Sequence, residues 1–324
     1  MRIIIIGIAL LTSQVLQAQE KNRTEHLYYF LSKDSLVGVK NQFGKTIITP
    51  KYIYWGQELK KPIQEHLIYL NGMNSNGSEP HTWGVVFNRK GEFLFAPLAY
   101  DNGADGFSEG LTRFVKNKKV GFANRRGDIV IEPKYDYAEA FNYGIAGFCN
   151  GCVWENRGEH SFITGGTLGY INNKGDTLAV LTKQNNKKDQ VVDSVKFLPY
   201  QFLYSTFERK ILDSFYKLPM ISKTHFVNYY SPLDSNEMQL HFEIVERPSS
   251  YYPYYHIMAF EYSNKYGFYG DAYLGFSFFV DRAGRDFFVF DYYDKKITLG
   301  VWLKQQIQEA KLYLKSHPEA LYKF

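Results

Sequence analysis

The chain has 324 residues, 45% hydrophobic and 22% charged, a balance that excludes a disordered or membrane-embedded polypeptide and leaves room for two domains. Its formal charge of +5 is small and spread along the chain, which is not the footprint of a nucleic-acid binder. The aromatic share of 18% rests on 27 Tyr and 26 Phe, residues that favour pleated, half-buried surfaces, so strands should dominate.

Arg2 is followed by an apolar run from Ile3 to Leu11 and a polar stretch ending in Ala18. This pattern predicts a signal peptide at 1–18, too short to span a bilayer, and export of the remainder to the periplasm or cell exterior. Loss of Arg2 would leave a net charge of +4. No second run of roughly 18 apolar residues follows, so a membrane-spanning helix is not expected.

From 19 to 181 the chain repeats itself. Gly38, Gly84, Gly121 and Gly169 are each followed by an Asn-x-x-Gly turn, opened by Asn41, Asn88, Asn124 and Asn172 and closed by Gly44, Gly91, Gly127 and Gly175. Asn bonds back to nearby backbone and the closing position needs positive φ, so each unit reads as a hairpin with a four-residue loop. Pro50, Pro97 and Pro133 sit six residues beyond the turn glycine and are expected to end the second strand, because proline donates no ladder bond. Phe107 to Leu111 and Phe141 to Ile145 lead into a third short strand, completing a small β-meander. A meander cannot bury its apolar face alone, so copies should stack.

These residues, above all Trp83-Gly84, Asn88 to Gly91, Phe107 to Leu111 and Pro133-Lys134-Tyr135, resemble the WG-containing repeat of bacterial proteins over about 36–180. The Trp is replaced by Val37, Val120 and Leu168 in the other copies, and Leu181 stands where the fourth proline belongs, as in a degenerate cap. The resemblance implies a binding or scaffolding array, open or propeller-like, and brings no catalytic residues or cofactor with it.

Between copies three and four lie the only cysteines, Cys149 and Cys152. An exported chain with two cysteines suggests a disulfide; the alternatives are a metal site adding His160, which lacks an evident fourth ligand, and a pair of free thiols. Gly106 to Gly110 fits a nucleophile elbow in letters only, since it is the repeat's own Phe-x-x-Gly element. Asp101 to Gly106 lacks two of the oxygen ligands of a calcium loop and reads as a turn.

Residues 182–193 are polar and read as a linker to a domain at 194–324. There Ser205 to Glu208 is a capping box for a helix to about Lys217, after which strands are expected. Met238 to Ile244 alternates like a strand buried on one face, with His241 on its solvated side. Phe276 to Val280 and Phe287 to Asp291 form a hairpin through Asp281 to Gly284, and Thr298 to Ser316 an amphipathic helix. Helices against an antiparallel sheet make an α+β domain, so the whole is mainly β repeats followed by α+β.

Tyr251, Tyr252, Tyr254 and Tyr255 head the densest aromatic region and are the candidate ligand platform. The leading reading is an exported, noncatalytic binding protein, its partner a protein or an envelope glycan. The alternatives are a hydrolase acting on saccharide or peptide through carboxylates such as Glu243, Asp281 or Asp291, and an envelope component that assembles through exposed strand edges.

Overall fold

The computed structural model describes residues 25–73, 80–157, 160–193, 195–229, 233, 237–263, 267–269 and 276–323; the predicted signal peptide at 1–18 lies outside them. The described chain is mostly antiparallel strand with three α-helices, and no sheet closes into a barrel. Two compact units emerge, Met1–Met73 with Gly84–Leu94, and Asn74–Trp83 with Phe95–Phe324.

In the first unit β1 (Leu27–Leu31), β2 (Leu36–Asn41) and β3 (Thr46–Ile53) pair in sequence order, and β4 (Ile68–Met73) lies beside β5 (Trp83–Phe87). Val37, Val39, Ile48, Ile68, Leu70, Val85 and Phe87 bury one another there. In the second unit the end of β6 (Phe93–Pro97) pairs with β9 (Leu111–Lys116), followed by β10 (Lys119–Asn124) and β11 (Ile129–Tyr135). A two-stranded turn, β7 (Ala99–Tyr100) with β8 (Gly103–Ala104), occupies the stretch that faintly resembles a calcium loop. Then β12 (Tyr137–Ala138), β13 (Ile145–Asn150) and β16 (Thr167–Asn172) form a sheet, with β14 (Val153–Arg157) and β15 (His160–Thr164) a separate hairpin inserted between.

All four predicted turns share one geometry. The side-chain oxygens of Asn41, Asn88, Asn124 and Asn172 each accept two backbone N–H groups, from the residues two and four positions on, at 2.8 to 3.1 Å. Gly44, Gly91, Gly127 and Gly175 close them at φ of 82°, 80°, 87° and 86°. Losing one such acceptor strands two N–H groups, so Asn172→Ala is expected to cost about 1–2 kcal/mol, measured by urea unfolding. A cost indistinguishable from zero would show that solvent replaces the amide.

Prolines 50 and 133 do not end their strands: β3 and β11 run through them. The reason lies across the ladder. A Cβ on Gly121 would stand 2.6 Å from the Ile131 carbonyl oxygen and 2.8 Å from the Pro133 nitrogen, and Gly38 faces Ile48 and Pro50 in the same way. The register shifts at both places, so the missing proline N–H falls in a bulge that only glycine can approach. Pro97 does close β6. In copy four the second strand is reduced to a bridge between Ile171 and Thr177.

The C-terminal part opens with a hairpin, β17 (Gln190–Asp193) and β18 (Lys196–Leu198). The polar stretch before it buries Asp189, whose carboxylate accepts from the Asn185, Asn186 and Tyr200 N–H groups. Helix α1 (Thr206–Tyr216) starts with the predicted capping box of Ser205 and Glu208. A second helix, α2 (Met220–Asn228), follows where strands were expected, because Pro219 opens a helix instead of ending one. The sheet runs β19 (His241–Glu246), β20 (Tyr254–Ser263), β22 (Ser277–Asp281), β23 (Phe287–Phe290) and β24 (Lys296–Thr298), with β21 (Gly267–Tyr269) on β20. Helix α3 (Leu299–Ser316) closes the domain, and Phe215, Ile221, Phe226, Phe242, Ile257, Phe278, Val280 and Leu299 fill its core.

Both faces of β19 are buried, not one. Val245 packs with Phe260, Phe268 and Tyr143, and Glu243 is fully enclosed. His241 is wedged against Tyr262 and Phe268 rather than solvated, and burial, aided by Lys188 and Lys187, pushes its pKa down to about 4. Tyr143 comes from the repeat. It occupies the third position of the Phe-x-x-Gly element in copy three, at φ 54°, and Glu109 occupies the equivalent place at φ 52°. The two turns thus present successive pegs to the C-terminal sheet, and Glu109 accepts from the Gly144 N–H at 2.8 Å.

Candidate functional site

A cleft of about 510 Å³ in the second unit lies between the segment ahead of α1, the helix itself and β19. Its walls are Tyr200, Phe202, Leu203, Tyr204, Leu212, Tyr216 and Phe242, and its polar groups are Asn186, Lys188, Arg209 and Asp213. That size and mixture suit a small ligand. Arg209 and Asp213 lie one turn apart on α1, which places them on one face, and neither side chain has a partner among the described residues.

Beneath this cleft Glu243 is saturated. It accepts from Lys188 Nζ at 2.8 Å, from the Tyr200 hydroxyl at 2.7 Å and from the Tyr204 hydroxyl. Burial first, and Glu243 second, push the Tyr200 and Tyr204 hydroxyls above the ordinary phenol range, so both remain protonated donors. Tyr204 and Tyr216 have a further task. β19 is the edge of its sheet, and its outward N–H groups at Ile244 and Phe242 donate to these hydroxyls at 3.1 and 3.2 Å.

A smaller cavity of about 240 Å³ is lined by Glu109, Asn124, Arg125, Arg126, Asn173, Glu246, Arg247 and Ser249 among others. Arg125, from the third repeat turn, is held between the rings of Phe107 and Tyr252, 4.6 and 4.4 Å from their centroids, and its Nε reaches both oxygens of Glu246 at 2.9 and 2.8 Å. Glu109 is buried, with one carboxyl oxygen unpartnered; burial raises its pKa to about 7, against the lowering effect of the Gly144 and Tyr143 N–H groups.

Of the four predicted platform tyrosines, Tyr252 and Tyr254 meet edge to face at 6.1 Å, while Tyr251 and Tyr255 go elsewhere. Tyr252 stacks on Arg125, Tyr254 packs edge-on to Phe288, Tyr255 joins the helix-side core, and Tyr251 is exposed. Tyr254 and Tyr255 are neighbours in a strand and therefore face opposite ways. Asp281 and Asp291 accept turn N–H groups, doing for their hairpins what Asn does in the repeats. Cys149 and Cys152 are joined, their Cα atoms 6.1 Å apart, within the reach of a disulfide. Asp136 accepts from the N–H of Gly151 between them at 2.6 Å. The His160 side chain lies outside the described ones, and among those described no cluster of three metal-binding side chains occurs. Nor, among the described residues, is any helix long and apolar enough to cross a membrane.

Sequence reasoning missed Tyr200, Phe202 and Tyr204. Their alternate spacing directly before a capping box, with no strand pattern around it, was the available signal.

No curated protein and no solved structure matches the chain. The family model for the WG containing repeat matches residues 83–119 and 121–154, which are the second and third copies, one opening at Trp83-Gly84 and the other at Gly121. The turns, the bulge glycine Gly121 and this match agree: residues 83–154 carry WG-containing repeats.

Proposed function

We propose that this is an exported, noncatalytic binding protein in which the repeats act as scaffold and the C-terminal part carries the ligand cleft. The observation that carries this reading is the aromatic-walled cleft above Glu243. Its floor carboxylate is fully engaged by a lysine and two tyrosines, which suits a wall that holds shape better than an acid that exchanges protons. The partner is a protein or an envelope glycan. The apolar run at 3–11 and the joined cysteines support export.

Ligand-detected NMR of the full chain with envelope glycan fragments and with a peptide library tests the reading. Binding that weakens in Arg209→Ala and Asp213→Ala supports it; binding indifferent to both removes the cleft from the account. Intact mass of the secreted protein without reductant is expected to fit a chain beginning at Gln19 with no alkylatable thiol. Two free thiols holding zinc would overturn the disulfide, and a retained Met1 the export.

One observation favours a second reading, a hydrolase: Glu109 and Glu246 line the same small cavity, and Glu109 has the raised pKa of a general acid. Against it, the free oxygen of Glu109 is shielded from solvent and Glu246 is engaged by Arg125. Release of reducing sugar or new amine termini from the same ligand panel, abolished by Glu109→Gln, would establish the hydrolase instead.

A further inference from the structure

We infer that the larger cleft takes a neutral saccharide, an inference that rests on the binding reading above. Two positive and two negative groups stand around the cleft. Lys188 is answered by Glu243, and Arg209 stands on the same helix face as Asp213. An anionic ligand needs surplus cation and a cationic one surplus carboxylate; Lys188, Arg209 and Asp213 of the lining, with Glu243 beneath them, supply neither.

The cleft instead offers donors and acceptors side by side. Lys188 gives one strong bond to Glu243 and a long contact of 3.5 Å to Tyr200, keeping hydrogen-bonding capacity in reserve. The Tyr216 hydroxyl accepts from the Phe242 N–H, leaving its own hydrogen to donate. The guanidinium of Arg209 and the carboxylate of Asp213 have no side-chain partners among the described residues, and each can meet a pair of adjacent hydroxyls, one as donor and one as acceptor.

Apolar area completes the match. Phe202 and Tyr204 stack at 6.3 Å with their planes 16° apart, and Leu203 between them is 86% exposed. A pyranose has an apolar face and a rim of hydroxyls, so it can lie on such a wall while its rim reaches the polar groups. A lipid tail would leave those polar groups unpaired, which is costly in a desolvated site.

The test is titration of the full chain with chitotriose, maltotriose and cellotriose, with trigalacturonate as the anionic counterpart and a tetrapeptide library as the peptide counterpart. At least one neutral trisaccharide is expected to bind, and Arg209→Ala and Asp213→Ala each to weaken it about tenfold, the loss of one charge-assisted bond. Circular dichroism confirms that the variants fold. Tighter binding of trigalacturonate, or sugar affinity unchanged in both variants, overturns the inference. Peptides binding through Arg209 and Asp213 while sugars do not would defeat the saccharide and leave the binding reading standing. If no probe binds, both fall.

Discussion

Replacement of Asp105 by alanine is expected to cost about 3–5 kcal/mol. Its carboxylate receives Arg113 Nη2 at 2.6 Å, Arg113 Nε at 3.0 Å and the Arg113 backbone N–H at 2.8 Å, while Arg113 Nη1 donates to the Ala138 carbonyl at 3.1 Å. The guanidinium also lies 4.9 Å from the Tyr100 ring centroid. With side chains only 4% and 5% exposed, the pair has little access to water, so removing the anion leaves a buried cation without an answer. Attraction within the pair and the desolvation of both ions nearly offset each other, so removing both should cost much less than the sum of the single changes. Urea unfolding of Asp105→Ala, Arg113→Met and the double variant measures this. Additive losses would mean that the two residues act independently, contrary to the geometry.

The second large effect concerns pH. Burial holds the Glu109 carboxyl at about 7 in the folded chain against 4.5 for an ordinary glutamate. The folded state therefore binds the extra proton between these values, and stability falls as pH rises from about 4.5 to 7 and stays lower above. A shift of this size corresponds to roughly 3 kcal/mol. Glu109→Gln keeps an acceptor for the Gly144 N–H and removes the titration, so at pH 8 it should be more stable than the parent by about 1–3 kcal/mol, with little difference at pH 4.5. His241 and His256, both depressed to about 4 by burial, slope the opposite way between 4 and 6.5. For this reason the informative quantity is the difference between parent and variant across pH, not either curve alone. Parallel curves would sink the assignment.

What was legible in the sequence was local. The four Asn-x-x-Gly turns could be read because donor, acceptor and positive-φ glycine lie within five residues of one another. Asp291 to Asp294 makes the same turn but escaped notice, since Asp294 takes the glycine's place at φ 57°. Proline was half legible: its missing donor was foreseen, its accommodation by a bulge opposite Gly38 and Gly121 was not, because that requires knowing what lies across the ladder. The cleft was hidden for the same reason. Glu243 meets Lys188 and Tyr204 across 55 and 39 residues of chain, and alternation along β19 labels it solvent-facing. Tyr143 from the repeat and Tyr200 and Phe202 from the segment ahead of α1 pack over that face and make it interior.

The tyrosine hydroxyls on β19 bear on how the molecule meets others. A strand arriving from another chain would require the Phe242 and Ile244 N–H groups, and Tyr216 and Tyr204 already occupy them. Such a newcomer would have to push aside two walls of the cleft. Edge-on polymerisation along β19 and an occupied cleft are therefore mutually exclusive states, so a ligand there would also act as a guard against strand-swapped aggregation.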